Sequence, residues 1–340
     1  MKAQALSSLL LITTAFTLSG CVGGSVAGSS APTVYLECDY CTNIADGTTS
    51  QIRSFPTDGT AGSTITSPLP GFRALRADAH GNLYTTTFST TTNTYAVAVF
   101  AHGASGAAAP IRTFTSPLMT QLNAFTVAPD GTVYFADHAN GLLRFDPTAS
   151  GTATPTQFPG LYLVGMVTDA SGNLYATVSA GGVFVGGGFT FAPTNIVVYN
   201  AGFTNTTPSR VIVPSPAAAF NHLAVDASGT IYASGSTPSN FLLPILTPEI
   251  AVFAPNTGAI GTPTRTITSS ALAGGDNLAL DHDGNLYVRT AGTSLTPFTL
   301  SPPRPINILK FGPTANGNAA PDATIVTGMD SLQSYGIAVY

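Results

Sequence analysis

The sequence predicts an all-β fold, and three observations support this fold class. The 340 residues include 35 Gly, 25 Pro and 49 Thr, which disfavour helix interiors, whereas β-branched and aromatic residues suit pleated strands. The second observation is that 44% of the residues are hydrophobic and only 8% are charged, unlike the composition of disordered chains. The third is a sequence repeat, which defines the strands one by one.

A β-hairpin motif recurs five times along the chain. Each copy combines an apolar strand, a tight turn with Gly, and a second strand that carries Tyr. The copies are LRADAHGNLYTTT (75–87), FTVAPDGTVYFAD (125–137), MVTDASGNLYATV (166–178), LAVDASGTIYASG (223–235) and LALDHDGNLYVRT (278–290). The Asp residues in these turns are expected to accept turn N–H groups, and the Tyr residues are expected to pack between neighbouring repeat units.

Each hairpin is followed by two further predicted strands. The third strands are YAVAVF (95–100), GLLRF (141–145), NIVVYN (195–200), EIAVFA (249–254) and INILKF (306–311). A near-constant connection of ten residues comes next, and then a fourth strand such as IRTF (111–114) or TRTIT (264–268). Four antiparallel strands that repeat every 41 to 57 residues, from one turn Gly to the next, predict the blades of a β-propeller.

The two ends of the chain supply a sixth blade. SYGIAVY (334–340) is a first strand without a hairpin partner, whereas TVYLE (33–37) and SQIRSF (50–55) are a second and an outer strand. Pairing of these segments closes the ring and removes its open edges. We therefore predict a single six-bladed propeller over 32–340, with five or seven blades as the alternative counts.

The repeat resembles that of NHL-type six-bladed propellers, and the closest matches are Asp226 to Tyr232 and Asp281 to Tyr287. The resemblance implies a scaffold rather than one chemistry, because such propellers include lactonases, lyases and pure binding modules. The general plan also resembles gluconolactonase and regucalcin propellers, which hold a divalent cation. The Trp-bearing motif of that family is not present, so none of its residues is carried over.

The first 20 residues predict an export signal, because Lys2 precedes an apolar stretch that is too short to span a bilayer. Leu18 to Cys21 resembles the lipobox of bacterial lipoproteins, which implies that Cys21 carries the lipid. An ordinary signal peptide with an incidental Cys is the alternative. Val22 favours the outer membrane, and 21–31 predicts a flexible Gly/Ser-rich tether.

Without Lys2 the chain has ten basic and 16 acidic residues, a net charge of −6. This charge argues against nucleic-acid binding, since Lys and Arg supply most of that affinity. Contact with the membrane is therefore expected from the lipid alone. Cys38 and Cys41 form a C-x-x-C segment, for which a disulfide is expected in an oxidising envelope. A thioredoxin-like redox pair and a zinc half-site are the alternatives.

One face of the propeller is predicted to carry the function. The loops after the second and fourth strands share this face, which we call the loop-rich face, while the short turns and ten-residue connections share the opposite face. The insertions on the loop-rich face are long and apolar, as in STPSNFLLPILTP (236–248) with Phe241 and Leu242. They are expected to form an interaction patch or to pack together as a lid over the channel.

Polar residues are predicted at the same face, around the channel mouth. A gathering of His, Asp and Glu there would hold a divalent metal such as Ca²⁺ or Zn²⁺, or supply a general base. The candidates are Glu37, Asp137, His138, Asn221, His222, Asp276, Asn277 and Arg289. The sequence favours a cell-envelope binding or scaffolding module for a protein, peptide or glycan, with no cofactor. A metal-assisted hydrolase or lyase at the channel mouth is the alternative.

Overall fold

Six sheets, each built on four antiparallel strands, form the blades of a β-propeller, as the sequence predicts, and three of these sheets gain a short fifth strand. The structure is a computed structural model, and every regular element in the residues that it describes is a β-strand. These residues are 31–38, 50–67, 69, 71–180, 183–185, 189–191, 193–238, 246–272, 277–291, 305–330 and 336–340. Residues 32–340 form one compact unit, whereas the predicted export signal lies outside the described residues.

Blades 1 to 3 each run from an inner strand to an outer strand. Blade 1 contains β4 (Ala74–Ala77), β5 (Leu83–Ser89), β6 (Thr94–Phe100) and β7 (Arg112–Thr115). Blade 2 contains β8 (Leu122–Val127), β9 (Val133–Asp137), β10 (Gly141–Phe145) and β12 (Thr156–Phe158). Blade 3 contains β13 (Leu163–Thr168), β14 (Leu174–Ser179), β17 (Thr194–Tyr199) and β18 (Arg210–Pro214), with the inserted hairpin β15 (Val183–Val185) and β16 (Phe189–Phe191).

Blades 4 and 5 follow the same order, and blade 6 joins the two ends of the chain. Blade 4 contains β19 (Ala219–Val225), β20 (Ile231–Pro238), β21 (Leu246–Phe253) and β23 (Arg265–Thr268). Blade 5 contains β24 (Asn277–Leu280), β25 (Leu286–Ala291), β26 (Pro305–Phe311) and β28 (Ala323–Asp330). Blade 6 contains β29 (Ile337–Val339), β1 (Thr33–Cys38), β2 (Ser50–Pro56) and β3 (Thr64–Ser67).

The closure of the ring is as predicted. Strand β29 pairs with β1 through Val339↔Val34, Ala338↔Tyr35 and Ile337↔Leu36, and β1 pairs in turn with β2. Strand β3 completes the blade as a fourth strand that the sequence analysis did not identify. The two ends of the described chain thus share one sheet.

The hydrophobic core is divided among the contacts between blades. Six clusters of buried side chains lie one between each pair of neighbouring blades, so that the core follows the ring. The repeated Tyr residues belong to these layers, as predicted, and each is at most 5% exposed. Each blade is therefore stabilised mainly by its two neighbours.

The ten-residue connections contact the preceding blade, which the sequence analysis did not predict. We call them edge connections: 101–110, 146–155, 200–209, 254–263 and 312–321. Three of them contain a two-residue strand that pairs in parallel with the outer strand of the blade before. These strands are β11 (Gly151–Thr152) on β7, β22 (Ile260–Gly261) on β18 and β27 (Gly317–Asn318) on β23. A fourth connection forms the bridge Gly106↔Ile65, and each such contact covers an outer edge that would otherwise be open.

The turn carboxylates act as predicted, with one exception. Asp281 accepts hydrogen bonds from the backbone N–H groups of Asp283 (3.0 Å) and Asn285 (2.8 Å), and also from the Tyr287 hydroxyl (3.1 Å). Asp283 was expected to play the same role. Its carboxylate instead lies 3.1 Å from His282 Nε2 at an exposed position. In this turn the backbone N–H of Asp283 takes part, as a donor to the Asp281 carboxylate.

Candidate functional site

A cavity of about 480 Å³ opens at the loop-rich face, where the inner strands begin around the central channel. The ring closure brings the starts of β4, β8, β13, β19 and β24 together, so side chains distant in sequence share one space. The polar lining residues include Arg73, Arg76, Asn123, His222 and Asn277. Two of the predicted site residues, His222 and Asn277, therefore line the same cavity.

Two arginines of blade 1 line the cavity: Arg73 directly precedes β4, and Arg76 lies within it. Arg76 Nη1 donates to the carbonyl of Leu75 at 2.8 Å, and Arg76 also lines the narrower space of about 160 Å³ further along the channel. Burial lowers the pKa of Arg76 to about 10, although the nearby Glu37 carboxylate opposes this shift. Arg76 is thus a cation at neutral pH.

Glu37, a predicted site residue, is buried between blades 6 and 1. Its carboxylate accepts a hydrogen bond from Thr85 Oγ1 at 3.2 Å and is close enough to Arg76 to affect its pKa. Glu37 does not line the cavity. This carboxylate therefore interacts with Thr85 and Arg76 and does not form part of the cavity lining.

Asp137, the next candidate, is fully buried at the end of β9. Its carboxylate accepts backbone N–H groups of Thr120 (2.6 Å), Gln121 (2.7 Å), Ala139 (2.9 Å) and Asn140 (2.9 Å). Burial by itself would raise the pKa of Asp137, but these hydrogen bonds lower it below its ordinary value of 3.8. The carboxylate therefore holds the β9–β10 turn against the segment that leads into β8.

His138 and Tyr162 form an exposed ring pair on the loop-rich face. Their ring centroids are 6.2 Å apart, and Tyr162 is 55% exposed. Val164, two residues after Tyr162, is 37% exposed and lines the cavity. An aromatic and apolar surface thus continues from this ring pair to the edge of the cavity.

Asn221 and Arg289 lie beside the cavity without lining it. Asn221 is exposed in an irregularity of β19, and its carbonyl oxygen would be 2.1 Å from a Cβ atom on Gly165. Only Gly fits at position 165, where blades 3 and 4 approach closely. Arg289 is buried and is the ladder partner of Asn277.

Several predicted residues lie outside the part of the chain that the structure describes. They are Cys21, Cys41, Phe241, Leu242 and Asp276. Cys38 ends β1, where its backbone pairs with Gln51, so the predicted disulfide with Cys41 stays a prediction. Within the described residues, no three or more His, Cys, Asp or Glu side chains are grouped so as to hold a metal ion. No helix among those residues has the length and apolarity needed to cross a membrane.

The two channel arginines were not among the predicted site residues, although the repeat contained a signal for one of them. Arg76 occupies a position where the other hairpin copies have Thr126, Val167, Ala224 and Ala279. A charged residue at a small or apolar position of an inner strand departs from the repeat. Such departures are expected where a scaffold carries a binding site.

The closed ring of blades places the protein in the β-propeller class. No protein-family model matches the sequence, and none of the curated proteins matches it. A chain of the structure titled "Crystal Structure of Mitotic Checkpoint Complex" aligns with a TM-score of 0.47 and 10% identity, over 85% of this chain and 77% of that one. A chain of the "Crystal structure of the eukaryotic initiation factor" aligns with a TM-score of 0.36 and 10% identity, over 86% of this chain and 65% of that one. At these values the similarities carry no information about function.

Proposed function

We propose that the protein is a lipid-anchored binding module of the bacterial cell envelope, which holds a protein, peptide or glycan at its loop-rich face. One observation carries the proposal: the cavity and the exposed pair of His138 and Tyr162 open side by side on that face. Exposed aromatic side chains beside a concave site are typical of recognition surfaces. The outer-membrane location rests on the lipobox-like segment and Val22.

The scaffold beneath this face is suited to binding. Each blade packs on both neighbours through buried clusters, and edge connections on the opposite face tie blades together. A rigid support of this kind lets the loops vary in length and sequence without loss of the fold. A binding module needs no catalytic group, only side chains held in fixed positions.

Site-specific cross-linking tests where a partner binds. A photoreactive amino acid at position 162 should give an adduct with an envelope component in intact cells. The matched control is the same group at Thr148, in an exposed turn of the opposite face. Adducts of equal yield from both positions, or none from position 162, would contradict the proposal.

A loop replacement tests the contribution of the apolar insertion in blade 4. The hairpin extends further into this insertion than the sequence suggested, since Thr237 pairs with Thr247 and Pro238 with Leu246. The exchange for a short Gly/Ser turn is therefore confined to 239–245. We expect the thermal midpoint to stay close to that of the parent protein while adduct formation falls, because the exchange leaves every described pair of the β20–β21 ladder intact. Unfolding, or unchanged adduct formation, would indicate a structural lid.

The anchor has its own test. Cys21→Ser should abolish acylation and move the protein to the soluble fraction of the envelope, because the lipid is the membrane element that the sequence predicts. Unchanged sedimentation with membranes would disprove the anchor. Stoichiometric Ca²⁺ or Zn²⁺ in the purified protein would instead favour the metal-assisted hydrolase or lyase.

A further inference from the structure

The inner strands of blades 2, 3 and 4 each contain a β-bulge near the loop-rich face. In blade 2 the register with β9 shifts between Leu122 and Ala124, so the residue between them, Asn123, is extra in the ladder. The same shift makes Val164 the extra residue in blade 3 and Asn221 in blade 4. All three bulge residues lie eight positions before the turn Gly of their hairpin, so the bulge is a feature of the repeat.

The bulges present these three side chains at the mouth of the channel. Asn123 and Asn221 are exposed, and Val164 is 37% exposed. Asn123 and Val164 line the cavity, and Asn221 directly precedes the lining residue His222. Bulges are common beside binding sites, because the extra residue changes the direction of a side chain. Equivalent positions of three blades thus supply side chains to the cavity or its rim.

A buried side chain holds the backbone at each bulge. In blade 2, Asp137 holds the segment that leads into β8. In blade 3 the Thr177 hydroxyl accepts a hydrogen bond from the Gly165 N–H at 2.9 Å. In blade 4 the Thr194 hydroxyl accepts one from the Phe220 N–H, also at 2.9 Å. The bulges are therefore ordered before any ligand binds, which lowers the entropic cost of binding.

The polar groups at the channel mouth favour a neutral ligand. The Asn123 and Asn221 side chains are uncharged carboxamides, and each offers N–H donors as well as a carbonyl acceptor. Arg76 interacts with the buried Glu37 carboxylate, and Arg73 also has an interaction partner within the protein. A hydroxyl group both donates and accepts hydrogen bonds, so a carboxamide can pair with it in either direction. Ligands rich in hydroxyl groups therefore suit these residues.

Apolar surface lies next to the carboxamides. Val164 lines the cavity, and the ring of Tyr162, which is 55% exposed, lies beside His138. The C–H faces of a sugar ring pack well on an aromatic ring, because the negative face of the ring attracts C–H groups. A saccharide combines such faces with hydroxyl groups. A peptide strand would instead need a regular strand edge, and the bulges interrupt that edge on the inner strands.

We propose that the channel mouth binds a neutral saccharide, with Asn123 and Asn221 as hydrogen-bonding residues and Val164 and Tyr162 as the apolar contact surface. This inference rests on the proposed binding function, and it selects the glycan among the ligand classes named there. The cavity volume of about 480 Å³ is within the range of small-molecule sites in proteins. The surface around Tyr162 extends the site beyond the cavity.

Titration calorimetry tests the ligand class on the full chain, held in a detergent without a sugar headgroup. The neutral probes are maltotriose, cellotriose and N-acetylchitotriose, and trigalacturonate is the acidic probe. We expect at least one neutral probe to bind with a Kd below about 1 mM, and trigalacturonate to bind more weakly. No binding of any neutral probe, or tighter binding of trigalacturonate, would overturn the proposal.

Substitutions then locate the site with the neutral probe that binds. Asn123→Ala and Asn221→Ala should each raise the Kd about threefold to tenfold, because each removes a hydrogen-bonding side chain. Both side chains are exposed, so the thermal midpoint should stay close to that of the parent. Asn200→Ala is the matched control, since Asn200 is exposed at the start of an edge connection on the opposite face, and it should leave the Kd unchanged.

The aromatic contact has a second pair of variants. Tyr162→Ala should raise the Kd about threefold or more, whereas Tyr162→Phe keeps the ring face and should bind like the parent. Unchanged binding by both Asn variants and by Tyr162→Ala would refute the site. A protein adduct from position 162 in cells, together with no saccharide binding, would retain the proposed binding function and refute this inference alone.

Discussion

Arg112 Nη2 donates a hydrogen bond to the Tyr84 hydroxyl at 3.1 Å, and Tyr84 in turn donates to the turn carboxylate of Asp78 at 3.3 Å. Arg112 Nη1 also contacts the carbonyls of Pro147 and Ala149, which belong to the edge connection of the next blade. One guanidinium thus links a turn, a second strand and the neighbouring blade. Because hydrogen bonds are directional, they constrain how neighbouring blades are oriented, in addition to the apolar packing between the blades.

The same arrangement recurs in blade 4. Arg265 Nη2 donates to the Tyr232 hydroxyl at 3.0 Å, and Arg265 Nη1 donates to the carbonyl of Ala315 at 2.9 Å in the next edge connection. In blade 3, Arg210 contacts the carbonyl of Pro255. The Arg at the start of several fourth strands is therefore an element that joins blades, which explains why cations recur there in a chain with few of them.

Tyr84→Phe should lower the free energy of unfolding by about 1 kcal/mol, because it removes the acceptor of Arg112 and the donor to Asp78 without creating a cavity. Chemical denaturation measures the change. Tyr162→Phe is the control, since Tyr162 is exposed, and it should change stability by less than about 0.5 kcal/mol. Equal effects of the two substitutions would show that the linkage contributes nothing to stability.

The edge connection of blade 4 offers a matched pair of substitutions. A Cβ atom on Gly261 would lie 2.3 Å from Ile212 Cγ2 in the outer strand of blade 3, whereas nothing lies within 4 Å of one on Gly258. Gly261→Ala should therefore destabilise the protein by about 1 to 3 kcal/mol through overpacking. Gly258→Ala should be neutral or slightly stabilising, because it restricts the unfolded chain. A thermal melt of both variants measures this, and a neutral Gly261→Ala would contradict the packing of β22 on β18.

Much of the fold was predictable because its signals are local. The turn Gly, the Tyr of the second strand and the apolar third strand recur in each hairpin copy, and the incomplete ends at 33–37 and 334–340 indicated the closure. The pairing of edge connections was not predictable in this way. Two-residue parallel strands such as Ile260–Gly261 have no hydrophobic periodicity, and their partners belong to another blade.

The candidate site was predictable in place but not in composition. The alternation of strand direction placed His222 and Asn277 at the correct face, and both line the cavity. Asp137 was predicted at the same face, but its carboxylate accepts hydrogen bonds from another segment of blade 2. Such partners become visible only when the strands are assembled, because Thr120 and Asp137 are distant in sequence.

Asp137 should make stability depend on pH in the acid range. Its folded-state pKa is lowered, so the stability that it contributes is complete above its ordinary value of 3.8 and is lost as the pH falls through the lower folded-state value. Asp137→Asn should cost about 2 kcal/mol near neutral pH, since two or more backbone N–H groups lose a charged acceptor. The difference between parent and variant should then shrink as the pH is lowered below about 3.8, measured by urea denaturation.

The control for this experiment is Asp146→Asn. The Asp146 carboxylate is exposed and accepts hydrogen bonds from the backbone N–H and the hydroxyl of Thr148 in its own turn, so its loss should change stability much less. A difference between parent and Asp137→Asn that does not change with pH would show that the carboxylate charge is not the stabilising feature.

Deletion of 335–340 should destabilise the protein strongly, because it removes the inner strand of blade 6. Ile337 and Ala338 are buried, and Tyr340 exchanges two backbone hydrogen bonds with Thr33 (2.8 and 3.1 Å). We expect a loss of about 5 kcal/mol or more and a fall in thermal midpoint of about 10 °C or more.

Gly336→Ala should act in the same direction, since its Cβ would lie 2.3 Å from the backbone nitrogen of Leu75 in blade 1. Val326→Ala, at a position 74% exposed in the outer strand of blade 5, is the control and should be nearly neutral. A truncated protein that melts with the parent would mean that the ring does not depend on the pairing of β29 with β1.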